Sequence, residues 1–495
     1  MIEKKVFNTY RIRLAVFLLL SLATNAQVGI GTITPQASSI LDVSSTSQGF
    51  LLPRMTTAQR NAIVSPANGL EVFDLDLGLF YFYSALSGQW VQINSGTVLR
   101  KNFKRIRAGD DLTAVLGEEL SSGGGAKYVL NPNTLYEING QIVFNFPIDL
   151  NNAYLDGLDA NEDIIVKTSG NLFEGTTGGS LRNLTIAAPG ATVFNLNGTP
   201  TQSFLLRDCI IANSGSVGTV AGYGLAFLSI VNFSGNTNGI TYSNIGQLLL
   251  SNQAWFSNNT GTYEKLTGTF NLVAKQGGFS NVNTGAVGLD VSTAGLDIKG
   301  DAVLESVVFT GPVPSNYVKP YTTGTYTGYN FNNSWTVKAA GLPSETDADA
   351  AGDFAMDYPV GSGLAVAFNN SNPSNIVKVG SGSPSTVYSN LFRFSTDAAN
   401  RLRYVGKKKR IFGIAGSISF QVPAAGTYIV YIAKNDVVIS QYKIYGRGAA
   451  TNDIVVLPLN ASTEMQTNDY IEVYAQRYSG SNGNIVVPNM SITIK

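Results

Sequence analysis

"VNFSGNTNG" (Val231–Gly239), "AWFSNNTGT" (Ala254–Thr262) and "GGFSNVNTG" (Gly277–Gly285) each place a Phe close before a turn rich in Asn, Gly and Thr. Phe233, Phe256 and Phe279 are 23 residues apart both times. The pattern extends to Ile186 and Ile211 before them and to Phe309 after, with gaps of 25, 22, 23, 23 and 30 residues. Two positions earlier stand Leu184, Cys209, Val231, Ala254, Gly277 and Val307, all small or apolar. Further upstream lies a second apolar run: "FLL" (Phe204–Leu206), "AFL" (Ala226–Leu228), "LLL" (Leu248–Leu250) and "NLV" (Asn271–Val273). A period of this length, with alternating strands and no helical periodicity, predicts a solenoid. Equivalent positions then stack about one strand spacing apart, ~4.8 Å. The aligned Ile and Phe residues are expected to form an internal ladder, with Cys209 as a buried filler beside it. The long last gap reads as a coil carrying a loop insertion.

Composition frames that reading. The chain has 495 residues, 44% hydrophobic and only 13% charged, with one cysteine and no histidine. The apolar share allows packed cores, and the Gly, Ser, Thr and Asn that replace charges suit turn-rich β structure. Residues 1–26 read as a secretory signal peptide. Lys4, Lys5, Arg11 and Arg13 precede the apolar run Leu14–Ala23, and small residues precede Gln27. No later run has the length of a transmembrane helix. Without residues 1–26 the basic count falls from 33 to 29 and the acidic count from 33 to 32, a net charge of −3 that argues against nucleic acid as a partner. Export places the protein outside the cell or on the surface of a Gram-negative bacterium. With Cys209 alone no internal disulfide forms, so stability has to come from a large core or from oligomerisation.

Four segments follow the signal peptide. Residues 27–98 form a small β segment with too little apolar content to fold well alone; "GLEVFDLDLGLFYFY" (Gly69–Tyr83) alternates around a turn. Residues 99–318 hold the repeats, and 319–344 read as an aromatic linker that either caps the solenoid end, the plainer reading, or packs on a neighbouring chain. Residues 345–495 carry about eight short strands with turns between them, an antiparallel sandwich.

Three resemblances attach to these segments. "VGIGTITPQASSILDVSSTSQGFLLPRMTTAQRNAI" (Val28–Ile63), followed by "PANGLEVFDLD" and "GQW", resembles the N-terminal segment of secreted Bacteroidetes surface proteins and phage tail-fibre-like proteins. That implies an attachment or stalk role, with intertwined trimers. The repeats resemble the right-handed parallel β-helix of the pectate-lyase-like superfamily. "GTYIVYIAKNDVVIS" (Gly426–Ser440), "NDYIEVYAQ" (Asn468–Gln476) and a terminal "SITI" resemble the tumour-necrosis-factor-like, complement-type jelly roll. This implies a homotrimeric head with a C-terminal strand inside a sheet. The expected fold is therefore all-β: a small β segment, a right-handed parallel β-helix, then an antiparallel jelly roll.

The chemistry is narrowed mainly by elimination. Without histidine there is no Ser-His-Asp or Cys-His catalysis and no His-containing metal site. No metal site and no cofactor are expected, and "SSGGGAK" (Ser121–Lys127) lacks the strand–helix context of a phosphate loop. Cleaving a polysaccharide on the solenoid flank needs paired carboxylates, or several acids around Ca²⁺ with a basic residue. No acid lies between Asp208 and Glu264. Candidates remain only at the ends: Asp156, Asp159, Glu162 and Asp163 early, and Asp290, Asp297, Asp301 and Glu305 late, with Asp297, Asp301 and Glu305 the catalytic candidates. Turn acids without catalytic work are the plainer reading.

Two cationic features are binding candidates. Arg182 and Arg207 fall at the same position of adjacent coils and are placed to grip an anionic sugar, or to bond turn carbonyls and Asp208. The run "RLRYVGKKKR" supplies Arg401, Arg403, Lys407, Lys408, Lys409 and Arg410, either an anionic-surface reader or a solvated hairpin. Outward tyrosines of "TYIVYIAK" and "YKIYG" are expected at a trimer interface. The preferred function is an exported, non-enzymatic, homotrimeric fibre or adhesin-like protein that displays its head to a surface glycan or outer-membrane partner. The alternatives are a secreted β-helix polysaccharide lyase or hydrolase, and a structural subunit of an extracellular filament or virion-like assembly.

Overall fold

The computed structural model describes residues 27–93, 102–368, 375–380, 388–397 and 400–495. The expected signal peptide lies outside the described residues. The chain divides into two compact units, Met1–Arg100 and Lys101–Lys495.

In the first unit Val28–Ile30 pairs in parallel with Leu41–Val43. A four-stranded sheet then runs Arg54–Met55, Glu71–Asp74, Leu79–Ser84 and Gln89–Gln92. A one-turn helix, Thr57–Asn61, starts on a capping box between Thr56 and Gln59. It delivers Arg60 to Asp74 at 3.0 Å and to the face of Tyr81 at 3.9 Å. Thr57 Oγ1 also donates to Asp74. Val72 is the one buried apolar residue among those described in this unit.

The second unit opens with the solenoid. Among the described residues, thirteen strands form one parallel sheet and nine a second, both climbing coil by coil. The rungs run from Phe103–Arg107 to Trp335–Ala340. The last rung therefore lies beyond residue 318, inside the stretch read as a linker. Register fixes the ladder as Ile165, Ile186, Ile211, Phe233, Trp255, Ser280 and Phe309. Phe256 and Phe279 are not in it. The true spacings around Trp255 are 22 and 25 residues rather than 23 and 23. Because successive strand side chains face opposite ways, a one-residue shift turns the whole set outward. The observed register buries the larger ring: Trp255 stacks on Phe233 at 3.9 Å and on Tyr263 at 5.0 Å. Phe256 is left 42% exposed, edge-on to Phe279 at 5.3 Å. The same shift replaces Ala254 and Gly277 in the neighbouring column by Gln253 and Gly278, and moves the upstream run from Asn271–Val273 to residues 273–275.

The Asn-rich turns close the coils from within. Asn236 and Asn259 are buried, and Asn259 Oδ1 accepts from Asn236 N at 2.9 Å and from its Nδ2 at 3.0 Å. Their amides also donate to the Ile211 and Phe233 carbonyls. An unmatched buried amide would cost roughly 1–3 kcal/mol, so this ladder of side chains replaces water at the corner. A second corner stacks Asn183, Asp208, Ile230, Asn252, Gly277 and Ser306, all with positive φ. Asn and Asp tolerate that conformation, and Gly277 accepts it without strain. A Cβ there would meet Asn252 Oδ1 at 2.3 Å.

Two charged side chains point into this core. Glu264 follows Ile240 in one inward column and Lys275 follows Leu250 in another. They meet at 3.0 Å, and Lys275 Nζ also donates to Gln253 Oε1 at 3.2 Å. Cys209 is buried, with its thiol on the Arg207 carbonyl at 3.1 Å, and burial pushes the thiol up to about 12.

The head is an antiparallel two-sheet sandwich. One sheet orders Tyr388–Phe392, Ala351–Asp357, Ile485–Ile494, Arg410–Gln421 and Ile454–Met465, so the last strand lies inside it. The other orders Phe394–Asp397, Arg401–Tyr404, Tyr470–Gly480, Gly426–Lys434 and Val437–Val438. Phe412, Ile414, Ile418 and Phe420 fill the space between the sheets by simple alternation. Gly426–Lys434 is flanked by strands on both sides and buried from Tyr428 to Ala433. Tyr428 and Tyr431 are therefore not at the surface, whereas Tyr445 is 52% exposed.

Candidate functional site

The chain's densest basic run lies where the solenoid meets the head. In strand Arg401–Tyr404, Leu402 and Tyr404 point inward and Arg401 and Arg403 outward. Arg401 lies over the Tyr470 ring at 3.7 Å and donates to Glu472 at 2.8 Å. Glu472 is buried and also takes Lys378. Arg403 donates to the Asn468 carbonyl at 3.0 Å and sits 4.8 Å from the same Tyr470 ring.

Beyond Tyr404 the run turns towards the solenoid. The Lys407 and Lys408 amides donate to Asp347 Oδ2 at 2.8 and 2.7 Å. Asp347 opens the short helical turn Asp347–Asp349 in the segment entering the head. Arg410 donates to the Asp347 and Ala348 carbonyls at 2.7 and 2.6 Å. Lys407 Nζ reaches the solenoid itself, at the Gly300 carbonyl (2.8 Å) and Asp301 (3.2 Å). Lys409 pairs with Glu464 at 3.1 Å, both more than half exposed, a pair worth about 0–1 kcal/mol. Lys408 has an exposed side chain. Tyr404 donates to the Lys408 carbonyl and fixes the turn.

Arg393 anchors the joint, a role that its place in the sequence does not announce. It is 1% exposed and adopts a positive φ between Phe392 and Phe394. Its guanidinium bonds Asn333 Oδ1 (2.8 Å) and the carbonyls of Trp335 (2.6 Å) and Glu345 (3.2 Å), and lies 3.4 Å from Asp347. A buried guanidinium needs this many acceptors to offset its lost hydration. Glu345 is fully buried beside it. Burial pushes its carboxyl up, and the amides of Asn330 and Phe331, which donate to it, only partly offset that. The available signal was the Arg interrupting the apolar alternation "LFRFS".

The other candidates are dispersed. Arg182 and Arg207 occupy one column in adjacent coils, and Arg182 is paired with Asp156. Asp163 accepts from the amides of Gly140, Leu158 and Asp159. Its burial raises the carboxyl less than these three donors lower it. Asp159 accepts from Asn161 N within the same turn. Asp290 bonds Ser292. Asp297, Asp301 and Glu305 share the strand Asp297–Thr310, where Asp301 takes Lys407. The structure thus brings Asp301 to the basic run and leaves Arg182 and Arg207 on the solenoid flank. Among the described residues, no helix is long and apolar enough to cross a membrane.

Residues 29–106 match the family described as the phage tail like trimerisation region. No curated protein matches the chain. Solved structures similar to the chain at low identity include two phage proteins. The PRD1 vertex protein P5 is 12% identical, covers 29% of this chain and 94% of its own, and has a TM-score of 0.21. The enzymatically active domain of bacteriophage CBA120 tailspike protein 4 is 9% identical, with coverages of 90% and 77% and a TM-score of 0.21. The chain is thus similar to a phage tail-like trimerisation region at its N-terminal end, followed by a parallel β-solenoid and an antiparallel head.

Proposed function

We propose that the protein is the subunit of a homotrimeric, phage-tail-like fibre. Its N-terminal unit holds three chains together, its solenoid serves as a rigid shaft, and its head is displayed to a surface partner. The observation that carries this reading is the trimerisation match over residues 29–106. It coincides with a unit that buries only Val72 among its described apolar residues and leaves Ile33 99% and Leu86 100% exposed. Such apolar surface is costly in water and suits the interior of an obligate oligomer.

The basic joint supports the display role. Lys407, Arg410 and Arg393 tie the head to the solenoid end, so the head is held rather than tethered. A rigid mount on three chains gives each weak site a high effective concentration at a surface bearing repeated ligands. The reading includes export to the cell surface or beyond, supported by the signal-peptide pattern of residues 1–26, and an adhesin-like use of the head. Native mass spectrometry of the chain from Gln27 onward tests the assembly. A three-chain species is expected, and a spectrum of single chains refutes the fibre.

A further inference from the structure

A second feature of the joint is a cleft rather than a charge cluster. It has a volume of about 680 Å³ and lies between residues 325–329 and the edge strand Tyr388–Phe392 of the head. We propose that this cleft binds a neutral carbohydrate chain, an inference that rests on the display role above and gives it a ligand class.

The floor is aromatic and fixed. Tyr329 stacks on Phe392 at 4.1 Å and 20°, while Tyr326 meets Phe392 edge-on at 5.4 Å. Phe392 is buried, with the Arg393 guanidinium 5.1 Å from its ring. Tyr326 donates to Asn333 Oδ1 at 3.1 Å, the atom that Arg393 also bonds. Thr325 Oγ1 donates to the Tyr329 carbonyl at 3.0 Å and closes the loop carrying both tyrosines. Both rings remain partly exposed. A floor already ordered by its neighbours pays little entropy when a ligand arrives.

The wall mixes apolar positions, Ala351, Gly352 and Leu391, with polar ones, and Asp353 carries its one charge among the described lining residues. Asp353 faces Asn390 across the strand pair; its Oδ1 accepts from Asn390 N at 2.9 Å. Ser389 and Thr493 add hydroxyls to the lining. A sugar ring presents an apolar C–H face and a rim of hydroxyls. An aromatic floor meets the first, and a carboxylate with hydroxyls meets the second. The volume falls in the range of small-molecule sites, about 300–1,000 Å³. No Lys or Arg is among the described lining residues, and the one charge, Asp353, would repel a uronate or sulfate. The Arg393 guanidinium behind Phe392 is bonded to Asn333 and to the Trp335 and Glu345 carbonyls. The ligand class is therefore neutral, unlike the anionic surface suggested by the basic run.

Affinity electrophoresis of the full chain tests this, through gels carrying dextran, mannan or a β-glucan, and through gels carrying polygalacturonate. Retardation is expected in at least one neutral gel. Tyr329→Ala should weaken it about tenfold, and Asp353→Asn should weaken it less without disturbing the fold, each with the melting temperature measured alongside. The proposal is overturned by migration unchanged in every neutral gel, by retardation in polygalacturonate alone, or by retardation that both variants retain. Because the cleft is built within one chain, a single-chain mass would refute the fibre and leave this result standing.

Discussion

In the solenoid, Ile211, Phe233 and Trp255 are each 0% exposed; in residues 27–93, Val28, Leu41, Phe50 and Leu51 are at least half exposed. Both regions are made of short alternating strands, yet they solve burial differently. A solenoid strand finds its partner in the next coil of its own chain, at a spacing set by backbone hydrogen bonds. Among the described residues, the strands of the N-terminal unit run two to six residues and have no second layer, which leaves their apolar side chains exposed within one chain, where the proposed fibre would cover them with its other chains. Self-sufficient burial gives a shaft. Incomplete burial gives an assembly device.

Substitutions should separate the two regions sharply. Trp255→Ala empties a stacked position in the ladder and should lower solenoid stability by about 3–5 kcal/mol, read by denaturant unfolding. The trimer mass should persist below the transition. Lys275→Met strands Glu264 without its cation and should also cost about 3–5 kcal/mol. The double change Lys275→Met with Glu264→Leu should recover most of that loss. A double variant as unstable as the single one would mean that the pair contributes more than its own burial costs.

Acid should act on the N-terminal unit through Asp74. Burial raises its carboxyl, but the bonds from Thr57, Leu77 and Asp76 and the nearby Arg60 charge outweigh that, holding it below its ordinary 3.8. A carboxylate with a lowered folded value stabilises fully above the unfolded value and loses that contribution as pH falls through the folded one. The trimer should therefore loosen only below about pH 3.8, and Asp74→Asn should remove that acid step while weakening the unit at neutral pH. Sedimentation across that range checks it. The smallest effect is expected at Phe256→Ala, within about 0.5 kcal/mol, because the ring is outside the ladder. A loss comparable to that of Trp255→Ala would restore the equal 23-residue spacing.

The solenoid was legible in the sequence because apolar side chains recur at near-constant intervals. Its register was not fully legible, because "AWF" offers two adjacent large rings and spacing alone cannot decide which faces in. Stacking on Phe233 decides it. The interior pair Glu264–Lys275 was missed for a similar reason: charges read as surface until a partner 11 residues away appears across the lumen. At the joint, the run 401–410 was visible as charge. Its acceptors are Asp347, the Gly300 carbonyl and Asp301, up to 107 residues away, and only the fold brings them within reach. Arg393 was hidden because a lone Arg in an alternating apolar stretch normally points to water, and the break between strands at this residue shows only in the fold.

Light scattering on the chain from Gln27 onward, at micromolar concentration, tests the central claim most directly when run beside Phe80→Asp. Phe80 is 47% exposed on the N-terminal sheet, so the account predicts a mass of three chains for the parent and of one chain for the variant, with the solenoid melt unchanged. A parent with the mass of one chain, or a variant that remains trimeric, would contradict assembly through the N-terminal unit.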